Sequence, residues 1–512
     1  MSLRWGTAGH SALLALTALG AGLAVVALPP AASLVLMAVA VVLALAFIEP
    51  IGGLAVMLSV APLKTLIDTE AEGFALPLDV GQLALGLLAL AWLARKAARR
   101  EPLWVPRSAV FLLVLIFVGA AALSLPGALS LGLGLTELLK WVEVALLLAL
   151  TVDLIAGDRE RLRWVVWAVL AAGGAHALVG LYAFFGGSGA DHLAILGGTR
   201  YRAFGTFGQP NPFAGFMGVC TALGAGATWG TLAEWSGAAR RLAGGRAGWL
   251  PLPWSALFYG ALTALPAAAL FASWSRGAWM GLTVAAALML LFLPRRFLRG
   301  LLLVGAVAGL ALLLAASGQL PGAVIERLTA FTDLAAALRD VRGVDVDDAN
   351  YAEIERLAHW QAALGMAADH PWLGVGFGNY AAAYPAHRLI NWPDALGHAH
   401  NYYLNLLAET GVVGLGAYLL LWGGVFAATV RALHRLRGFE RGLVLGLLGV
   451  WMYLAVHSLL DKLYVNNVFL HIGVLFGILV ALTSSGAVAS RCESARPQIS
   501  EGSHYDGTSD TR

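Results

Sequence analysis

Three stretches of an otherwise apolar chain carry groups able to grip an anion or move a proton. The first is SWSRGAWMG, Ser273–Gly281, whose Arg276 stands between two apolar runs with no soluble loop to hold it. A guanidinium is always charged and grips phosphate through paired hydrogen bonds. Snorkelling at a helical hairpin would also place an arginine here; the tightness of the hairpin favours a phosphate site. The second is YRAFGTFGQPNPFAGF, Tyr201–Phe216, with Arg200 just ahead of it. Gly205, Gly208, Pro210 and Pro212 force an irregular lead into the next helix, and Gln209 and Asn211 add hydrogen-bonding groups. Arg200 alone reads as an interfacial anchor, whereas Arg202, set among tightly spaced turn residues, points to function. The third is GHAHNYYLNLLAETGVVGLG, Gly397–Gly416. If helical, it puts Asn401, Asn405 and Glu409 on one side. His400 sits at the helix start, where a cap or surface role is common. His398 and His400 could pair on a metal, but no second paired ligand motif accompanies them, so no metal site is expected.

Other polar groups lie within apolar runs, where charge is expensive and marks function by default. Glu137, Lys140 and Glu143 follow at three-residue spacing, which serves either mutual neutralisation or a substrate. HSLLDKLY brings His457, Asp461 and Lys462 to the end of an apolar segment. Upstream of the third stretch, Arg356–Tyr380 reads as an amphipathic helix ending near His370–Pro371, then GVGFGNY. That glycine-rich run has no preceding strand and no βαβ context, so it is read as a turn docking the loop helix, not a nucleotide loop.

These groups must be positioned by membrane helices. The chain has 512 residues, 59% hydrophobic and 12% charged, against roughly 25% charged in soluble domains. The composition implies an all-α polytopic membrane protein and excludes water-soluble classes. Cys220 lies in an apolar run and Cys492 in a polar tail, so no disulfide or thiolate metal site is expected. Candidate spans are 11–28, 31–48, 51–65, 79–95, 108–125, 132–155, 164–186, 211–230, 254–275, 277–294, 300–317, 411–431, 442–460 and 466–486. The first is read as an uncleaved helix. Lys and Arg gather on the cytoplasmic side. Threading the spans puts Arg95–Arg100, Arg159–Arg163, Arg240–Arg246, Arg295–Arg299 and Arg431–Arg441 on one face, with both termini. The other face receives DTEAEG, Gly187–Pro210, Ser275–Gly277 and a loop over 318–399 with five arginines, no lysine and ten acids. The expected organisation is a helical bundle (1–317), an outward loop domain (318–399), C-terminal helices (400–486) and a disordered cytoplasmic tail (487–512).

The chain resembles the bacterial O-antigen ligase and O-antigen polymerase superfamily. The resemblance rests on His400–Asn401 followed after nine residues by Gly411-x-x-Gly414, on HPWLGVGFGNY, on SRGAW around Arg276, and on Arg202 before PNPFAG. It implies a GT-C-like arrangement of about 12–14 transmembrane helices with a long, partly helical loop before the last ones. It also implies metal-independent, inverting transfer of a glycan from an undecaprenyl-pyrophosphate carrier, without cofactor, at the outer face of the bacterial cytoplasmic membrane. Arg202 and Arg276 would hold the pyrophosphate, and His400 would activate or orient the acceptor hydroxyl. Arg200, Gln209, Asn211, Asn401, Asn405, Lys140 and Asp461 would line the substrate site, with His398 a bystander. The acceptor would be lipid A core (a ligase), another lipid-linked glycan (a polymerase) or a protein hydroxyl. Membrane lipids are the expected surroundings, and no nucleic-acid partner is expected. A transporter or flippase of lipid-linked glycan would instead spread charge through both leaflets.

Overall fold

The computed structural model describes residues 46–494, apart from 71–78, 104, 156, 187–188, 243–251, 320–321, 323–339 and 348–349. Long apolar runs dictate helices, because in lipid every backbone group must be bonded within its own segment. In chain order they are α1 (Pro50–Val60), α2 (Lys64–Glu70), α3 (Val80–Arg99), α4 (Ala109–Leu123), α5 (Leu131–Ile155) and α6 (Arg159–Gly186). A two-residue antiparallel pair follows, β1 (Ala194–Ile195) and β2 (Arg200–Tyr201). Then come α7 (Pro210–Leu242), α8 (Trp254–Ala272), α9 (Arg276–Phe292), α10 (Phe297–Ala316), α11 (Tyr351–Asp369), α12 (Tyr380–His387), α13 (Tyr402–Arg435), α14 (Gly438–His457) and α15 (Val468–Ser494). Asp79 caps α3 through Gln82 N, and Ser108 caps α4 through Phe111 N.

The protein is an all-α polytopic membrane protein. Nine helical stretches among the described residues are long and apolar enough to cross a membrane; α9 and Val468–Ser484 are shorter apolar helices. α5 has 25 residues but carries Glu137, Lys140, Glu143 and Asp153. Each expected span from 51–65 onward falls on one of these helices. The expected span at 11–28, and all of that at 31–48 before residue 46, lie outside the described residues. The short span at 51–65 is α1 continued by a 3-10 turn at Ala61–Leu63 around Pro62, reaching Thr69. At the other end α15 runs on to Ser494, past the expected boundary at 486. Its last turns, AVASRCES, contain no Pro and no Gly to stop a helix.

The basic clusters among the described residues gather at one end of the bundle; that at Arg240–Arg246 lies outside the residues whose side chains are described. Arg163 Nη2 reaches Glu234 Oε2 at 2.9 Å and Arg159 Nε reaches Glu440 Oε1 at 2.8 Å. Arg441 donates to the Phe292 and Leu293 carbonyls, and Lys96 pairs with Asp153 at 2.7 Å. Helix contact follows small residues, since lipid tails supply no hydrophobic drive between helices. α7 and α14 cross at Gly226 and Gly442, where a Cβ on either would overlap the other's backbone.

The loop between α10 and α13 contributes α11, α12 and their own small core of Ala362, Met366, Tyr380 and Tyr384. Its glycine-rich turn is wedged into α13. At Gly411 (φ 61°, ψ −165°) the helix breaks. Val375 N and Gly376 N then donate to Ala408 O and Glu409 O at 2.9 Å, the carbonyls that Val412 N and Val413 N would normally use. Those two amides bond instead to Pro371 O (2.9 Å) and Trp372 O (3.3 Å). HPWLGVGFGNY is therefore a docking turn, as its sequence context indicates. Asn379 Oδ1 fastens it further, accepting from Ser130 N at 2.7 Å.

Candidate active site

At the end of the bundle opposite the basic clusters, three segments meet. The first is the approach to α7. Arg202 N donates to Leu193 O and Ala203 N to Ala272 O, both at 2.9 Å, which pins this strand to the end of α8. The Arg202 side chain then donates through Nε to Ser273 O (2.9 Å) and through Nη2 to Asn211 Oδ1 (3.2 Å). Asn211 thus orients Arg202. Burial, then the charges of Arg356 and Arg276, pull the Arg202 guanidinium down to about 10; Asp461 opposes them. It stays charged at neutral pH, and its neighbours identify the groups sharing its field. Arg200 points elsewhere: it donates to Phe185 O at 3.3 Å and lies over the Phe184 and Phe185 rings. Gln209 is exposed.

The second segment is the α8–α9 hairpin. Ser273 is buried and accepts from Ser275 N at 3.2 Å, and Trp274 takes a positive φ of 56°, so the chain turns back within three residues. Arg276 opens α9 and pairs with Glu353 of the loop helix α11.

The third segment carries His400. Asn401 is the N-cap of α13, its Oδ1 accepting from Tyr403 N (3.0 Å) and Leu404 N (3.1 Å). Asn405 Oδ1 accepts from Ala399 N at 3.1 Å. His400 itself is held at φ 52°, its amide donating to His398 Nδ1 at 3.0 Å. A non-glycine residue held there by surrounding bonds is a mark of built geometry. Tyr402 N donates to Ser458 O at 2.8 Å, tying this turn to the end of α14 and to Asp461. Asp461 Oδ1 lies 3.7 Å from His398 Nε2 and 4.0 Å from His400 Nδ1. The His359 ring stands edge-on to His400, with centroids 5.6 Å apart. Burial first, then His398, push the His400 imidazole well below its usual range, so it is neutral at physiological pH. Both of its ring nitrogens are buried and make no hydrogen bond among the described residues.

Of the residues singled out from sequence, Arg202, Arg276, Asn211, Asp461 and His400 come together. Asn401 and Asn405 shape the His400 turn through bonds of their own. Lys140 donates to Glu137 Oε2 at 2.6 Å, and Lys462 holds the other Glu137 oxygen at 3.0 Å. This ion triplet anchors the Asp461–Lys462 loop to α5, while Glu143 turns to Gln82 Nε2 at 3.4 Å. His398 is no bystander: it accepts the His400 amide and faces the same carboxylate. Arg356 and His359 were legible only as parts of a loop helix. The successive three-residue spacing of Glu353, Arg356 and His359 is the signal that one flank of α11 is polar for a reason.

His398, His400 and Asp461 offer ligand atoms within 4.8 Å of one another, giving the histidine pair the third ligand that sequence did not supply. The bonding fits proton transfer better. Because His398 Nδ1 accepts a backbone amide, its proton is on Nε2, facing Asp461. A metal on Nε2 would force the proton to Nδ1, against another donor, whereas ligating histidines give that proton to an acceptor.

Beside the hairpin a cavity of about 840 Å³ runs between α6, α8, α9 and α10. Phe184, Phe271, Trp274, Trp279, Leu282 and Val307 line it. An apolar groove thus borders the segment that carries Arg276.

No curated protein matches this chain. The sequence model of the O-Antigen ligase family matches residues 261–419. That segment holds Arg276, Glu353, Arg356, His400 and the Gly411 kink, while Arg202 and Asp461 join it from outside. In this segment the chain is similar to the O-antigen ligase family.

Proposed function

We propose that the protein is a membrane glycosyltransferase that moves a glycan from undecaprenyl-pyrophosphate to an acceptor hydroxyl. The observation that carries this reading is the convergence of Arg202 and Arg276 with a neutral His400 backed by Asp461. In the proposed reaction the acceptor oxygen attacks the anomeric carbon and its proton passes to His400 Nε2. The bond between that carbon and the pyrophosphate oxygen breaks, and the electron pair leaves with the pyrophosphate. The two guanidiniums stabilise the charge that develops there. Asp461 stabilises the imidazolium. Direct displacement inverts the anomeric centre, and proton transfer to imidazole requires no metal. The polyprenyl tail would lie in the apolar groove beside Trp274 and Trp279.

A ligase acting on lipid A core is the preferred acceptor reading, because the His–Asn and Gly-x-x-Gly spacing resembles that branch; a polymerase joining lipid-linked repeats uses the same groups. The site would face outward from the bacterial cytoplasmic membrane, with both termini in the cytoplasm. The test is transfer by purified protein from a defined undecaprenyl-pyrophosphate glycan, with lipid A core or a second lipid-linked glycan as acceptor. His400→Ala should lower transfer about 10²- to 10⁴-fold. Arg202→Ala and Arg276→Ala should each lower it roughly 10²- to 10³-fold. Full transfer by all three variants would overturn the site. Carrier movement across vesicles without a new glycosidic bond would replace the reading with a transporter.

A further inference from the structure

The Arg276 guanidinium is already occupied by a carboxylate, Glu353. Three residues further along α11 comes Arg356, and three further comes His359, which stands against the His400 ring. Arg356 is therefore placed on the helix flank between the residue touching one phosphate-gripping arginine and the residue touching the candidate base. It is half-buried and forms no ion pair among the described residues. Its charge is felt at Arg202, Arg276, His398, His400 and His457, groups drawn from four separate segments of the chain. Like charges gathered this closely repel, and a cluster of them is stable only with anionic company. Within the site that company is Asp461, Glu353 and Glu355, whose carboxylate lies in the field of Arg356. A pyrophosphate diester carries two negative charges. If it displaced Glu353, three arginines against Asp461 and Glu355 would still hold a net positive charge to meet it.

We propose that Arg356 is a third arginine of the pyrophosphate site, delivered by the loop helix, and that Glu353 occupies Arg276 until the donor displaces it. This rests on the transferase reading above. The loop then has a chemical role, because donor binding exchanges the Glu353–Arg276 pair for direct contacts between α11 and the phosphates. The charge gained by the leaving group as the glycosidic bond forms then falls on Arg356 as well as on Arg202 and Arg276.

The test is the affinity of full-length protein in detergent for undecaprenyl pyrophosphate and for undecaprenyl monophosphate. Wild type should prefer the pyrophosphate. Arg356→Ala should weaken pyrophosphate binding roughly 10- to 100-fold, the weight of a charge-assisted contact, and shrink the preference over monophosphate. Arg356→Lys keeps a charge but not the planar fork, so it should fall in between. Glu353→Gln should tighten pyrophosphate binding several-fold, which a purely structural ion pair would not do. Melting temperature is recorded for each variant; should Arg356→Ala fail to fold, the lysine variant decides. Wild-type affinity in both Arg356 variants, with Arg202→Ala weakened, overturns this proposal and leaves the transferase reading standing. No pyrophosphate preference in wild type overturns both.

Discussion

A neutral imidazole takes a proton only where its lone pair lies, so the chemistry of His400 depends on which nitrogen carries hydrogen. Asp461 faces Nδ1 at 4.0 Å and favours the proton there, leaving Nε2 as the base. Burial and His398 push the ring below its ordinary value near 6.5. A base works unprotonated, so a depressed value extends activity toward acid. The acid limb of kcat/KM, which reports the free enzyme, is expected well below pH 6.5, with transfer nearly unchanged between pH 7.5 and about 5.5. An acid limb at or above 6.5 would contradict the neutral-base assignment. Arg202 and Arg276 were readable in sequence because isolated charge in an apolar chain is expensive. Asn401 and Asn405 were readable as a polar face, but their spacing could not reveal that the face closes on its own backbone. Asparagine is equally a capping residue, and the structure uses that property.

At the scale of elements, the break in α13 sets where the His400 turn and the loop helix stand. Gly411 adopts a conformation that is nearly glycine-only, and a side chain elsewhere in that region costs about 1–3 kcal/mol. A Cβ there would also overlap the Trp372 backbone. Gly411→Ala is expected to lower the melting temperature in detergent and reduce transfer. Gly416→Ala, five residues on with open space around it, should do neither. Equal melting curves for the two variants would show that the wedge is not needed. The glycine spacing was visible in sequence. Its partner was not, because the exchanged hydrogen bonds join backbone atoms 33 to 41 residues apart, and backbone atoms leave no residue-type signature.

For the whole molecule, the separation of charge is the clearest architectural statement. The described basic clusters pair with carboxylates and carbonyls at one end, and Arg202, Arg276, His398, His400 and Asp461 meet at the other. This makes sidedness testable. In a Cys220→Ser/Cys492→Ser background, an impermeant maleimide applied to intact spheroplasts should label Gln209→Cys and spare Glu101→Cys. Both positions are exposed, at opposite ends of the bundle. The reverse pattern would invert the topology and remove the outward-facing site. The sequence by itself determined the helices, the charge asymmetry and the two lone arginines. Each of these depends on local hydropathy or on the cost of placing a charge within a few residues of lipid. Tertiary structure alone decided that Asp461 faces His400, that Lys462 shares Glu137 with Lys140, and that Glu353 of the loop helix reaches Arg276. Those meetings depend on which helices pack together. In lipid that choice is made by small-residue contact and hydrogen bonding between distant segments; spacings such as Gly226-x-x-x-Gly230 and Gly442-x-x-x-Gly446 mark a contact face in the sequence but do not name its partner.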